Sequence, residues 1–247
     1  MAAVPDPAKI HSELWRASQL GHAPTPASSS GFARLDRELP GSGWPDGVLT
    51  ELIGRESGIG ELRLLVPLLR QLTRERRAVI LLAPPHIPYA PALASFGIDL
   101  EHLLVVHAPS AANRLWAVEQ TLRSACFGAL LAWVPQEKTR PEHLRRLQLA
   151  AQGAQGPVFL FRSLAAQFEA SPAPLRLLLL AQPEQRLSVQ ILKRRGPVLA
   201  NQILLELPRP VAAIQLRAQP APDAHATDGS LQTIHARPPS RPAVTAH

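Results

Sequence analysis

The sequence predicts an α/β protein with a mostly parallel sheet flanked by helices, extended near the C-terminus by antiparallel strands. Between residues 48 and 161, continuous apolar runs alternate with amphipathic segments, which is typical of parallel strands covered by helices on both faces. After residue 172, three strand-like runs follow one another without intervening helices. One of them, 187–192, alternates between apolar and polar residues, as a strand with one solvated face does.

The elements follow in a regular order along the chain. A short helix is expected at 31–39, because Pro40 and Gly41 end it. The predicted strands are 48–53, 78–83, 103–107, 128–134, 157–161, 175–180, 187–192 and 203–207. The predicted helices between them are 61–75, a short helix within 84–97, 111–125 and 141–152.

Length and composition favour one large domain with two tails. The chain has 247 residues, of which 46% are hydrophobic, and this allows a substantial core. We expect an N-terminal helix and linker at 1–30, the domain at 31–207, and a mostly disordered, proline-rich tail at 208–247. The sequence has neither a transmembrane run nor a signal-peptide pattern, so it predicts a cytoplasmic protein without membrane association. The single Cys126 excludes an internal disulfide framework.

A glycine-rich turn follows the first predicted strand, in the setting of a P-loop that holds nucleotide phosphates. Its glycines are Gly54, Gly58 and Gly60. Glu61 and Leu62 stand where Lys and then Ser or Thr are required, and five residues separate Gly54 from Gly60 instead of four. Because a carboxylate repels a triphosphate and leucine cannot ligate Mg²⁺, we interpret this loop as a degenerate P-loop that holds no cofactor.

Five stretches of the chain resemble a known family. They are 31–47, 49–62, 81–93, 115–124 and 144–151. Together they resemble the core of the RecA superfamily, and more closely the ImuA family of bacterial SOS mutagenesis proteins. The resemblance implies a RecA-like fold over about residues 30–207. Cell division inhibitors of the SulA type resemble the same core.

The RecA resemblance also shows which catalytic groups an ATPase of this kind would need. One is a carboxylate at the end of the second strand, where this chain has Ala83, Pro84 and Pro85. The other is a Walker-B Asp at the end of the fourth strand, where it has Trp133 and Val134. Lysine, hydroxyl, base and metal-holding acid are all absent, so we predict a pseudo-ATPase that is not an enzyme.

Basic residues are the remaining candidates for a binding site, since the net charge is +7. Lys193, Arg194 and Arg195 follow an alternating strand and are a candidate contact for phosphate or for a partner; a solvated turn is the alternative. A second cluster lies in and just before the predicted helix 141–152, and a solvated helix face explains much of it. Its members are Arg140, His143, Arg145 and Arg146. Whether the chain touches DNA directly stays open.

Two other kinds of site are not supported by the sequence. His86, His102 and His107 fall near strand ends, but no pair of potential ligands has the spacing of a metal site. No Gly-x-Ser-x-Gly elbow is present, so no nucleophilic serine is indicated.

The ImuA resemblance implies a non-enzymatic adaptor in SOS-induced error-prone translesion DNA synthesis. Its expected partners are an ImuB-like Y-family polymerase homologue and an error-prone replicative-type polymerase subunit, with RecA or a RecA–DNA filament as a further contact. The alternative is a SulA-like cell division inhibitor that binds FtsZ, the tubulin-like division protein. An active recombination ATPase is a third hypothesis, which would require stabilisation by ATP.

Overall fold

The computed structural model describes most of the predicted domain and little of the two tails. The described residues are 26–55, 57–135, 139–196, 201–210 and 233–235. The expected N-terminal helix, which includes Trp15, lies outside them, as does nearly all of the proline-rich tail, so both remain predictions. No helix in the described part of the chain is long and apolar enough to cross a membrane.

The described residues form five helices and eleven strands. The helices are α1 (Ala33–Asp36), α2 (Glu61–Arg74), α3 (Ala90–Ser95), α4 (Ala111–Ser124) and α5 (Pro141–Ala151). The strands are β1 (Ala27–Ser28), β2 (Trp44–Pro45), β3 (Leu49–Gly54), β4 (Val79–Leu82), β5 (Leu103–His107), β6 (Ala129–Trp133), β7 (Val158–Ser163), β8 (Leu175–Gln182), β9 (Arg186–Lys193), β10 (Ile203–Glu206) and β11 (Thr233–His235).

These bounds agree closely with the sequence prediction, except at the first helix. The helix expected at 31–39 is only one turn, α1. The Asp36 carboxylate accepts hydrogen bonds from the Ser29 hydroxyl and the Ser30 N–H, which ties the preceding segment to this turn. That segment, predicted as linker, contributes β1, which pairs antiparallel with β2.

Nine of the strands in the described part of the chain form one sheet, in the order β10-β9-β8-β3-β7-β6-β4-β5-β11. Strands β3 to β8 are parallel, whereas β9 runs antiparallel to β8 and β10 antiparallel to β9. The prediction of a mixed α/β fold with a large, mostly parallel sheet is therefore confirmed, as is its antiparallel extension. The short strand β11, from within the predicted tail, pairs with β5 at one end of the sheet.

Helices cover both faces of the sheet. α1, α2 and α3 pack on one face, where Leu64, Leu68 and Leu72 of α2 are buried against the sheet. α4 and α5 pack on the other face. Because both faces are covered, the central strands are apolar along their whole length, as in β4, where all four residues are buried. Parallel strands end at a common edge of the sheet, called here the carboxyl edge, and the loops that follow β3, β4, β6 and β7 lie there.

A buried carboxylate joins three strands at the centre of the sheet. Glu51 of β3 is fully buried, and its two carboxylate oxygens accept from Arg162 of β7 at 3.2 Å and from Arg176 of β8 at 2.7 Å. The Ser171 hydroxyl donates to the same carboxylate at 2.7 Å, and Arg162 also pairs with Glu169 at 2.7 Å. Two carboxylates thus balance two guanidinium groups, which lowers the cost of burying each charge.

We predict that Glu51→Gln lowers the free energy of unfolding by about 3–5 kcal/mol, because two guanidinium groups then remain buried beside a neutral amide. Urea denaturation followed by circular dichroism measures the change. Glu184→Gln is the matched control, since Glu184 forms an exposed pair with Arg186 at 2.9 Å and should change stability by less than about 1 kcal/mol. Equal effects of the two substitutions would contradict the central role given to Glu51.

Candidate functional site

The glycine-rich loop interpreted from the sequence as a degenerate P-loop lies between β3 and the first long helix, α2. β3 ends at Gly54, and α2 begins at Glu61. The loop therefore sits at the carboxyl edge and at the N-terminus of a helix, which is where a phosphate would be bound in a working P-loop.

The Glu61 side chain fills the anion-binding position of its own loop. Its carboxylate accepts two contacts from the Gly58 N–H, at 2.9 and 3.1 Å, and one from the Gly60 N–H at 3.1 Å. The side chain is buried, and as the first residue of α2 it lies where the helix dipole favours negative charge. The backbone donors that a phosphate would need are thus satisfied by a covalently attached carboxylate.

Two glycines of the loop are required by its backbone. Gly58 and Gly60 have φ angles of +89° and +104°, in the region that side chains disfavour. A Cβ on Gly60 would lie 2.4 Å from a methyl group of Leu207, which packs against the loop. Leu62, the other residue where the sequence departs from a P-loop, is partly buried against the core of the α2 face.

The nearest cation in α2 turns away from the loop. The Arg63 guanidinium donates to the Pro208 carbonyl at 2.7 and 3.0 Å and to the Gln185 side chain at 2.9 Å. Burial, followed by the nearby charge of Arg209, lowers the pKa of Arg63. Arg63 therefore fastens the end of the β10 segment to α2 and does not replace the missing lysine.

The cleft beside the loop is aromatic where nucleotide chemistry would need an acid. Its volume is about 200 Å³. Trp133, at the end of β6, stacks on Phe161 of β7 with ring centroids 4.3 Å apart and planes 9° from parallel. Both rings line the cleft, and Glu61 is the only carboxylate among the described residues that line it. At the end of β4, the backbone turns at Ala83, whose φ is +51°, and continues into two prolines.

The three cations at the end of β9 are not near the glycine loop. Because β9 runs antiparallel, its last residue, Lys193, pairs with Arg176 at the beginning of β8, and Val189 pairs with Leu179 at the level of the loop. Four residues of strand, about 13 Å, separate these levels. The cluster therefore lies at the opposite edge of the sheet from the glycine loop of the same chain.

Two of those cations already bind within the protein. The Lys193 ammonium donates to the Ser171 carbonyl at 2.8 Å. Arg194 is largely buried and pairs with Glu38 at 2.9 Å, which anchors the end of β9 beside the segment that follows α1. Arg195 is exposed and lies against the prolines around β2.

The histidines do not come together as metal ligands. The His102 ring lies 3.1 Å from Asp99 in a short turn before β5. Within the described ranges, no group of three or more His, Cys, Asp or Glu side chains is arranged to hold a metal ion.

Sequence reasoning missed a set of exposed apolar side chains at the carboxyl edge. Ile87 and Tyr89, in the loop after β4, are 83% and 71% exposed, and Phe168, after β7, is 86% exposed. The sequence did contain a signal for this exposure, since Ile87 and Tyr89 alternate with prolines. A proline lacks the N–H that a strand within a sheet needs, so a segment of this kind forms a surface loop. Exposed apolar groups of this size are typical of surfaces that bind other proteins.

Comparison with known proteins points to inhibitors of cell division. The sequence model of the family described as "Cell division inhibitor SulA" matches residues 47–156. The SulA protein of Pectobacterium atrosepticum is 28% identical over 138 residues, 56% of this chain and 82% of that protein. Those of Edwardsiella piscicida and Klebsiella pneumoniae are 31% and 26% identical, over 45% and 59% of this chain and 65% and 86% of those proteins.

These matches correct the family and partners expected from the sequence. The ImuA assignment is wrong, and so are the expected function in translesion synthesis and the expected partners, which were an ImuB-like protein, an error-prone polymerase subunit and RecA. The reason is that four of the five stretches behind that assignment lie largely or wholly within 47–156, the part that matches the SulA family. The prediction that the chain is not an enzyme is confirmed, because the proteins it matches are inhibitors.

We predict that Glu61→Ala lowers the free energy of unfolding by about 1–3 kcal/mol, because the Gly58 and Gly60 N–H groups lose a charged acceptor. Thermal or urea denaturation tests this. Glu75→Ala is the control, since Glu75 is an exposed residue at the end of the same helix and its loss should cost less than about 0.5 kcal/mol. An unchanged free energy of unfolding in Glu61→Ala would show that the carboxylate does not stabilise the loop.

We predict that Glu61→Lys gives no ATPase activity, because Leu62, Pro85 and Trp133 still stand where a hydroxyl, a catalytic carboxylate and a metal-holding acid are required. Phosphate release measures turnover. A shift of the melting temperature measures binding, since ATP·Mg²⁺ at a hundred times its Kd would stabilise the protein by about 2.7 kcal/mol. Turnover, or stabilisation of the unsubstituted protein by ATP, would contradict the assignment of this loop.

Proposed function

We propose that this chain is a SulA-like inhibitor of cell division, which acts by binding the tubulin-like division protein FtsZ through its surface. The observation that carries this proposal is the match of residues 47–156 to the family of cell division inhibitors. That span runs from β3 through α5, so it contains the glycine loop and most of the loops at the carboxyl edge.

The geometry supports a function that needs no nucleotide. Glu61 occupies the anion position of the loop, and the neighbouring cleft is filled at its base by stacked aromatic rings. A RecA-like core, with the glycine turn between a central strand and a helix, is part of the proposal. Such a core can serve as a scaffold once its phosphate-binding donors are satisfied internally.

The loop that follows β4 is the surface we assign to the division protein. Ile87 and Tyr89 are the most exposed large apolar side chains within the matched span, and tyrosine is enriched at protein interfaces. Lys193, Arg194 and Arg195 lie outside that span and remain candidates for a phosphate or partner contact. Because FtsZ assembles inside the cell, the proposal also places this protein in the cytoplasm.

We predict that expression of the chain in a dividing bacterium produces filamentous cells, and that the purified chain lowers FtsZ polymerisation in sedimentation assays. Ile87→Asp and Tyr89→Asp should abolish both effects, because a charge in a buried apolar contact removes most of its binding energy. Leu149→Asp is the matched control: it places the same charge on an exposed apolar side chain near the end of α5, away from the loop after β4, and should retain both effects.

Normal division in cells that contain the unsubstituted protein, together with unimpaired FtsZ assembly, would contradict the proposed function. Retained inhibition by Ile87→Asp and Tyr89→Asp would contradict only the surface assigned to it.

A further inference from the structure

A groove lies between α4 and α5, on the face of the sheet opposite α2 and α3. We call it the α4–α5 groove. Its lining residues are Ala111, Ala112, Leu115, Trp116, Glu119, His143, Arg146 and Leu147. Its volume is about 370 Å³, which is within the range of sites that take a small ligand or a few side chains of a peptide.

The groove is open because α4 begins with small side chains. Ala111 and Ala112, in the first turn of α4, line the groove together with the apolar side chains of Leu115 and Leu147. The Trp116 ring stands beside them and is 43% exposed. An exposed tryptophan next to an apolar recess is the arrangement found where binding energy concentrates at protein interfaces.

The two helices that border the groove, together with Arg140, carry an excess of positive charge, called here the arginine rim. α4, α5 and the Arg140 that precedes α5 carry five arginines and two glutamates. One of these glutamates, Glu119, is buried and already pairs with Arg123 at 2.7 Å and with Arg146. Arg146 lines the groove and is largely exposed, so its guanidinium group reaches solvent beside the apolar recess, and Arg123 is exposed on the other side of the same carboxylate pair. The N-terminus of α4 adds a partial positive charge at the end lined by Ala111.

We propose that the α4–α5 groove binds an acidic segment of a partner protein, with an apolar side chain inserted beside Trp116 and flanking carboxylates on the arginine rim. Charge complementarity selects this occupant. A second copy of the chain is disfavoured because the net charge is +7. The chain's own residues after 210 are disfavoured as well, because they contain three arginines and only two acidic residues.

Nucleic acid is a less suitable occupant, because its phosphates could pair with the arginines but could not fill the apolar recess. An apolar hollow of this size gives a phosphate backbone nothing to bind, whereas an aliphatic or aromatic side chain would bury its surface there. The inference is independent of the proposed function, because Ile87 and Tyr89 do not line the groove.

The test uses the full chain and a displayed library of random twelve-residue peptides. We expect enriched peptides to carry a large apolar residue flanked by Asp or Glu. The best peptide, labelled and titrated by fluorescence anisotropy, should bind about tenfold or more weakly to two variants. Ala112→Phe fills the recess without changing charge, and Arg146→Glu reverses the charge of the rim. Arg70→Glu, an equal charge reversal on the exposed side of α2, should leave the affinity unchanged.

Several results would overturn the proposal. One is enrichment of basic or uncharged peptides, and another is no enrichment at all. A third is an enriched peptide that binds Ala112→Phe and Arg146→Glu as tightly as it binds the unsubstituted chain. A labelled single-stranded DNA whose binding is lost in both variants would assign the groove to nucleic acid. A dimer in light scattering that Ala112→Phe dissociates would assign it to a second copy, and increased peptide binding by Trp15→Asp would assign it to the N-terminal segment. Melting temperatures of all variants establish that each is folded.

Discussion

The fold depends on how the charge of Glu51 is held inside the sheet. Glu51 lies on the central strand, and its partners Arg162 and Arg176 lie on the two strands that flank it. The same carboxylate accepts from Ser171, in the segment that crosses over these strands between β7 and β8. Removing Glu51 would leave the buried Arg176 guanidinium without its counterion, which costs more than the pair itself contributes. The network therefore fixes which strands are neighbours, because a displaced strand would separate these charges.

A second carboxylate explains why the glycine loop persists without nucleotide. Glu61 offers the Gly58 and Gly60 N–H groups the acceptor that a phosphate would supply, but it does so from the same chain. An attached acceptor has a far higher effective concentration than a dissolved ligand. The positive φ angles of both glycines are kept for the same reason, since they aim these N–H groups at one point. The carboxylate that first suggests a damaged site is therefore the group that completes the loop.

The sequence predicted the elements well because periodicity is local, and it predicted the sites poorly because sites depend on topology. Strand β4 and helix α4 could be read from runs of apolar residues. The position of Lys193 could not, because the reversal of β9 carries it to the edge of the sheet opposite the glycine loop. The partners of Glu51 lie more than a hundred residues away, so its pattern within β3 gave no sign of the network. The family was misjudged because motif stretches such as 81–93 lie within residues 47–156, the part that matches the SulA family.

The Gly58 and Gly60 N–H groups are satisfied within the loop, so the proposals for this protein concern its surface. The apolar loop with Ile87 and Tyr89 precedes α3, which packs with α2 on one face of the sheet, and the α4–α5 groove lies on the other face. A rigid sheet with its charges paired keeps both surfaces in fixed positions without a bound ligand. The loop with Ile87 and Tyr89 is apolar, whereas the α4–α5 groove combines an apolar recess with nearby arginines. Because their chemistry differs, the two surfaces would select different partners. A scaffold of this kind can hold one protein on each face, and loss of either surface by substitution would leave the other intact.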